Sequence, residues 1–111
     1  MPSFYRLQIN CDNETIQELE KILGKANSSI GNGWNFIIDE GSSSYNTALE
    51  HFILLMSENL DVLKSINISM NQVTIWYMYE YEGQCNMEFS PDITASLGRL
   101  GIFLCISCWE K

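Results

Sequence analysis

From Phe4 to Asn10 the side chains alternate, with Tyr5, Leu7 and Ile9 on one side and Arg6, Gln8 and Asn10 on the other. A period of two over this length predicts a half-buried strand. The period then changes. In CDNETIQELEKILG, residues 11–24, the apolar residues Ile16, Leu19 and Leu23 fall at helical spacing. Asp12 or Asn13 can cap that helix, Glu14 suits its first turn, and Gly24 is placed for a left-handed residue at its end. KANSSIGNG, with Gly31 and Gly33, reads as a polar loop. Trp34 to Ile38 is a short apolar strand, broken by DEGSSS at 39–44.

The longest helical pattern runs from Tyr45 to about Lys64, with a broad stripe of Leu49, Phe52, Ile53, Met56, Leu60 and Leu63 that Ser57 to Asn59 can bend or split. Val73 to Tyr81, VTIWYMYEY, is dense in β-branched and aromatic residues and predicts a strand. Glu82-Gly83 reads as a tight turn and Gln84 to Phe89 as the returning strand. Ser90-Pro91-Asp92 supplies a capping serine, a proline at the first helical position and an acid in the first turn. Ile93, Leu97 and Leu100 make that helix's stripe, and Gly101 stops it. Ile102 to Trp109 is apolar on both faces, as expected of an interior strand. The order β-α-β-α-β-β-α-β predicts an α+β fold: one domain over 1–111, a mixed sheet, helices mainly on one face.

The expected hairpin carries a surface prediction. A two-residue loop at Glu82-Gly83 sets Trp76 opposite Phe89 and Met78 opposite Met87. One face then holds Trp76, Met78, Cys85, Met87 and Phe89, and is core-like. The other holds Tyr77, Tyr79 and Tyr81 with Gln84, Asn86 and Glu88. Tyrosine is enriched at interfaces, so Tyr77, Tyr79, Tyr81, Glu80, Glu82 and Glu88 are candidate partner-binding residues, with Asp39 and Glu40 as a second acidic patch. A change of register by one residue would turn the tyrosines inward.

Charge narrows the partner. Six basic residues stand against fourteen acidic ones in 111 residues, a net charge of −8. That argues against nucleic acid, whose phosphates require a basic footprint, and against anionic membrane surfaces. It suits a basic protein, drawn in by long-range attraction. The chain is 46% hydrophobic and 18% charged, enough to fold around a core. No segment has the length of apolar residues that a membrane span needs, and the N-terminus lacks a signal-peptide layout, so a soluble cytoplasmic protein is expected. The apolar content exceeds what one helix layer covers, which allows a homodimer.

The spacing of Cys105 and Cys108 is that of redox dithiols and half zinc sites. On a strand, residues three apart point to opposite faces, with Cα atoms about 10 Å apart at about 3.3 Å per residue. A disulfide needs about 7 Å or less. Cys11, Cys85 and His51 are the other soft ligands, and none is paired at short spacing. Buried structural thiols are expected, with no metal and no cofactor. No nucleophile elbow or phosphate loop occurs, and Gly31 to Gly33 precedes a strand rather than a helix. Nothing assembles a nucleophile, base and oxyanion donor, so no catalytic residue is assigned and an enzyme is not expected. An alternative is a small-molecule-binding regulatory domain with a pocket lined by Trp34, Trp76 and Trp109.

The two ends of the chain carry a resemblance. FSPDITASLGRLGIFLCI after an aromatic strand, and a first helix ending in leucine-glycine, resemble the bacterial domain-of-unknown-function family 4279. The chain departs from that pattern at Lys25-Ala26, where a proline often follows, and at Cys105 and Ser107, where the family often has an acid. The family brings no assigned activity and no functional residues. The size and acidity also resemble those of small bacterial immunity proteins, which implies a non-enzymatic domain that neutralises a basic, nuclease-type toxin by occlusion.

Overall fold

A computed structural model describes residues 3–28, 32–39, 41 and 45–111. Four strands, β1 (Phe4–Ile9), β2 (Trp34–Asp39), β3 (Val73–Tyr81) and β4 (Phe103–Glu110), form one sheet in the order β2-β1-β3-β4. The β1–β2 and β1–β3 pairs are antiparallel and β3–β4 is parallel, so the sheet is mixed. Four helices accompany it: α1 (Asn13–Leu23), α2 (Tyr45–Glu58), α3 (Leu60–Ser65) and α4 (Pro91–Leu100). The fold is α+β, as the sequence predicts.

Local chemistry sets the helix ends. The Asp12 carboxylate accepts from the Thr15 backbone N–H at 2.9 Å and from the Thr15 hydroxyl at 2.6 Å, which fixes the start of α1. These two bonds, the hydroxyl's first, hold the Asp12 carboxyl below the usual carboxylate range. Gly24 ends the helix with φ 99° and ψ 174°, positive as expected but outside the left-handed helical basin. Ser90 Oγ accepts from the Ile93 N–H at 3.2 Å, Pro91 takes the first helical position, and Gly101 closes α4. The long pattern after Tyr45 splits at Asn59 into α2 and α3.

The core lies between the helices and one face of the sheet. Tyr5, Leu7 and Ile9 of β1, Trp34 of β2, and Val73, Ile75 and Tyr77 of β3 are buried there with Leu19, Leu49, Phe52, Met56, Leu63, Ile93 and Leu97 from the four helices. The Trp34 indole N–H donates to the Gly24 carbonyl at 3.0 Å, tying the end of α1 to β2.

Two expectations fail. Gln84 to Phe89 form no strand. Strand β3 has two edges; β1 occupies one and β4 the other, so no ladder is open to a returning segment. The alternation is nevertheless physical: Met87 and Phe89 pack against the core while Gln84, Asn86 and Glu88 are exposed. This irregular stretch then leads into α4, whose crossover delivers β4 parallel to β3. The second failure concerns β4, which sits at the edge of the sheet rather than its interior.

The opposite edge is closed. Along β2, Asn27 acts as a strand residue. Its backbone N–H donates to the Asn35 carbonyl at 3.1 Å, its side-chain Nδ2 to the Ile37 carbonyl at 2.8 Å, and its Oδ1 accepts from the Ile37 N–H at 2.6 Å. Gly33 sets the entry to β2 from the other side, against β1. With φ 82°, it brings its backbone so close to β1 that a Cβ would run into the Ile9 carbonyl oxygen.

Candidate functional site

The tyrosine surface expected from the hairpin is inverted. Tyr5 pairs with Tyr77, and residues directly opposite share a face, so β1 turns the odd residues of β3 toward the helices. Tyr77 is 4% exposed and stacks on Tyr5, with ring centroids 4.8 Å apart, and on Tyr45, at 5.8 Å. Tyr79 packs beside it, half-buried, at 5.2 Å. Tyr81 lies on the same side at the strand end, half-buried. Those rings belong to the core side and form no outward strip.

The even residues of β3 face the other way, onto a side of the sheet that the core helices do not reach. The register lays that side out in rows. Asn35, Gln8, Thr74 and Phe103 form one; Ile37, Arg6, Trp76 and Cys105 the next; Asp39, Phe4, Met78 and Ser107 the third; Glu80 and Trp109 the last. Aromatic and apolar side chains therefore run across the middle, with carboxylates at one end. Phe103 is 58% exposed and Trp109 37%.

Polar attachments hold the two tryptophans. The Trp76 indole N–H donates to Gln8 Oε1 at 3.0 Å, and the Arg6 guanidinium carbon lies 5.3 Å from its ring centroid. Gln8 in turn donates to the Asn32 carbonyl at 3.0 Å. Burial lowers the pKa of the Arg6 guanidinium from its ordinary value. The Trp109 indole N–H donates to Glu80 Oε2 at 3.2 Å, and the Glu80 backbone N–H to Ser3 Oγ at 3.1 Å. Trp34 lies on the core face, so the three tryptophans share no pocket.

Of the acids predicted as two groups, Asp39, Glu80 and Glu82 lie at the same end of the sheet. Strands β2, β3 and β4 run in the same direction, because β1 is antiparallel to β2 and β3, and β4 is parallel to β3. Their C-terminal ends bring Asp39, Glu80, Glu82 and Glu110 to that end, with Lys111 following. Glu88, exposed, lies in the irregular stretch, where its backbone N–H donates to the Tyr45 hydroxyl at 2.8 Å. Glu40 lies outside the described residues, as does Gly31. Phe4, Met78 and Phe103 were not anticipated as site residues. The signal for them was the Arg6/Gln8 side of β1, which only the β1–β3 register connects to Trp76.

The cysteines are not the buried thiols expected. Cys105 and Cys108 do point to opposite faces, paired with Trp76 and Tyr79 respectively, but Cys105 is half-buried and Cys108 exposed. Cys85, half-buried, is the neighbour of Cys108; desolvation first, then the neighbouring Cys108, raises the Cys85 thiol. Among the described residues no three His, Cys, Asp or Glu side chains gather as a metal site, and no helix is long and apolar enough to cross a membrane. A cavity of about 520 Å³ lies away from the open face, between the ends of α3 and α4, with Lys64 and Arg99 on its wall beside Leu60, Met70 and Leu100.

No family model, no curated protein and no solved structure matches the chain.

Proposed function

We propose that the chain is a non-enzymatic protein-binding domain, and that the open sheet face receives a basic protein. The observation that carries this reading is the layout of that face: an aromatic and apolar centre of Phe4, Trp76, Met78, Phe103 and Trp109, ending in Asp39 and Glu80, with Glu82 and Glu110 at the same end of the sheet. Aromatic anchors with a charged rim are the composition of a binding hot spot. The net charge of −8 selects a positively charged partner and speeds its approach. Taken with the resemblance of the chain's ends to family 4279 and its immunity-protein size, the concrete form is an immunity protein that blocks a basic, nuclease-type toxin by occlusion.

The test is affinity capture from the native cell at low and moderate salt, followed by binding of the purified captured protein to variants. Glu80→Gln with Glu82→Gln should mainly lower the on-rate, and Trp76→Ala should mainly raise the off-rate. A captured basic protein that inhibits growth alone and not with this chain supports the toxin form. Unchanged binding by all these variants would rule the open face out.

A second reading rests on the cavity between α3 and α4. Two cations on an otherwise acidic chain, set among apolar walls, suit a small carboxylate or phosphate ligand. A thermal shift with such compounds that Lys64→Ala abolishes would favour it.

A further inference from the structure

Strand β4 has the composition of an interior strand and the position of an edge. Edges are normally blunted by lysine, proline, bulges or a covering segment. The β2 edge has such a cover in Asn27. From Phe103 to Trp109, β4 has no charge and no proline, its one charged residue being the terminal Glu110, and three exposed large hydrophobic residues, Phe103, Ile106 and Trp109, lie on it.

The direction of its backbone groups is fixed. The Lys111 N–H donates to the Tyr81 carbonyl at 2.9 Å, so the odd residues of β4 turn their N–H and C=O toward β3. Leu104, Ile106 and Cys108 turn theirs outward, and among the described residues no backbone partner meets them.

We infer that β4 is a homodimerisation strand, pairing antiparallel with β4 of a second copy about a two-fold axis at Ile106 to make one continuous sheet. The strand is self-complementary about that residue. Ile106 meets its own copy, and Leu104 meets Cys108 of the second chain, each exchanging N–H and C=O groups. Cys105 meets Ser107, and Phe103 meets Trp109, on the open face. Opposed residues share a face in this register, so both copies keep their helices on one side.

The uncharged run Phe103–Trp109 favours a second copy over a charged segment. Aromatic side chains present roughly 150–250 Å² each, so covering the exposed parts of the four rings removes roughly 400 Å² from water. With the two strand backbones added, the contact stays below the ~1,200–2,000 Å² of a standard stable interface. The dimer is therefore concentration-dependent. The charge on each copy opposes it, so salt strengthens it, the reverse of what salt does to a basic partner. Phe103 and Trp109 belong to both surfaces, and the opposite salt responses tell the dimer from the partner complex.

The experiment is sedimentation velocity across protein concentration and salt, on the wild-type chain and on Ile106→Pro. Proline at an outward N–H removes intermolecular bonds and no bond to β3. The expected result is a dimer fraction that grows with concentration and with salt and is lost in Ile106→Pro with unchanged circular dichroism. A monomer throughout, or a dimer indifferent to Ile106→Pro, would overturn the inference.

Register is read by cross-linking, which also decides if the proline variant misfolds. In a Cys85→Ser, Cys108→Ser background, Ser107→Cys sits opposite Cys105 of the second copy at a Cα separation of about 4.5 Å. Oxidised glutathione should then link the copies, the two thiols losing two protons and two electrons to give a disulfide and two reduced glutathiones. The link should vanish when Cys105 is also changed to Ser. No link, or a link that survives loss of Cys105, would reject the axis at Ile106.

Discussion

The two faces of the sheet hold aromatic residues in opposite ways. On the covered face Tyr5, Tyr77 and Tyr45 stack ring on ring, and packing against the helices keeps them there. On the open face Trp76 and Trp109 are each held by a polar neighbour: Gln8 with Arg6 for one, Glu80 for the other. An amphipathic ring with a local hydrogen-bond acceptor remains ordered without a second layer above it. Aromatic content alone therefore does not reveal which face of a strand is the core. The neighbouring strand decides, here β1, whose Tyr5, Leu7 and Ile9 leave no choice for Tyr77, Ile75 and Val73.

Stability measurements can break this contrast. The largest effect should come from Tyr77→Ala, at about 3–5 kcal/mol by urea denaturation, since it empties a ring site from the core. Gly33→Ala should follow, at about 3 kcal/mol, by combining an unfavourable positive φ with a clash against β1. Trp76→Ala should cost only about 1–2 kcal/mol, the worth of one hydrogen bond, a cation–π contact and partial burial. If Trp76→Ala proves as damaging as Tyr77→Ala, the open face is part of the fold's structural core and the contrast is wrong.

The smallest effect sharpens the comparison from the helical side. Asp12→Ala should lower the urea midpoint at about pH 7 and much less at about pH 3, near and below the ordinary carboxylate range. The sign follows from the depressed carboxyl. The folded state binds this proton less readily than the unfolded state, so the cap's contribution is present above the unfolded pKa and is lost as pH falls through the folded one. An equal gap at both pH values would assign the effect to helix propensity rather than to the ionised cap.

Much of the fold is written locally. Asp12, Ser90-Pro91 and Gly101 mark helix ends through bonds that reach three or four residues along the chain, and the sequence displays both partners of each. The alternation of Phe4 to Asn10 displays β1 in the same way. The misreadings were non-local. Glu82-Gly83 has the look of a hairpin turn, and Cys85, Met87 and Phe89 alternate with polar residues as a returning strand would. What forbids the hairpin is β4, brought alongside β3 from more than twenty residues further on. The inverted tyrosines followed from the same omission. Of the candidate site, the acids Asp39, Glu80 and Glu82 could be read from the sequence, and they lie at one end of the sheet; its apolar centre could not, because it depends on three strand registers at once.

The register between β1 and β3 also governs how the chain must assemble in time. Phe4 lies opposite Met78, and Ile9 opposite Val73, so β1, with a strand on each side, meets its β3 partner across more than sixty residues. At a synthesis rate of about 5–20 residues per second, β1 waits roughly 3–15 s for β3 to be made. During that interval Tyr5, Leu7 and Ile9 have β2 and the helices α1 to α3 to shelter them, and an unpaired edge where β3 will lie. Closing that long loop adds to the folding barrier and places this mixed α and β domain on the slower side of helical bundles of its size.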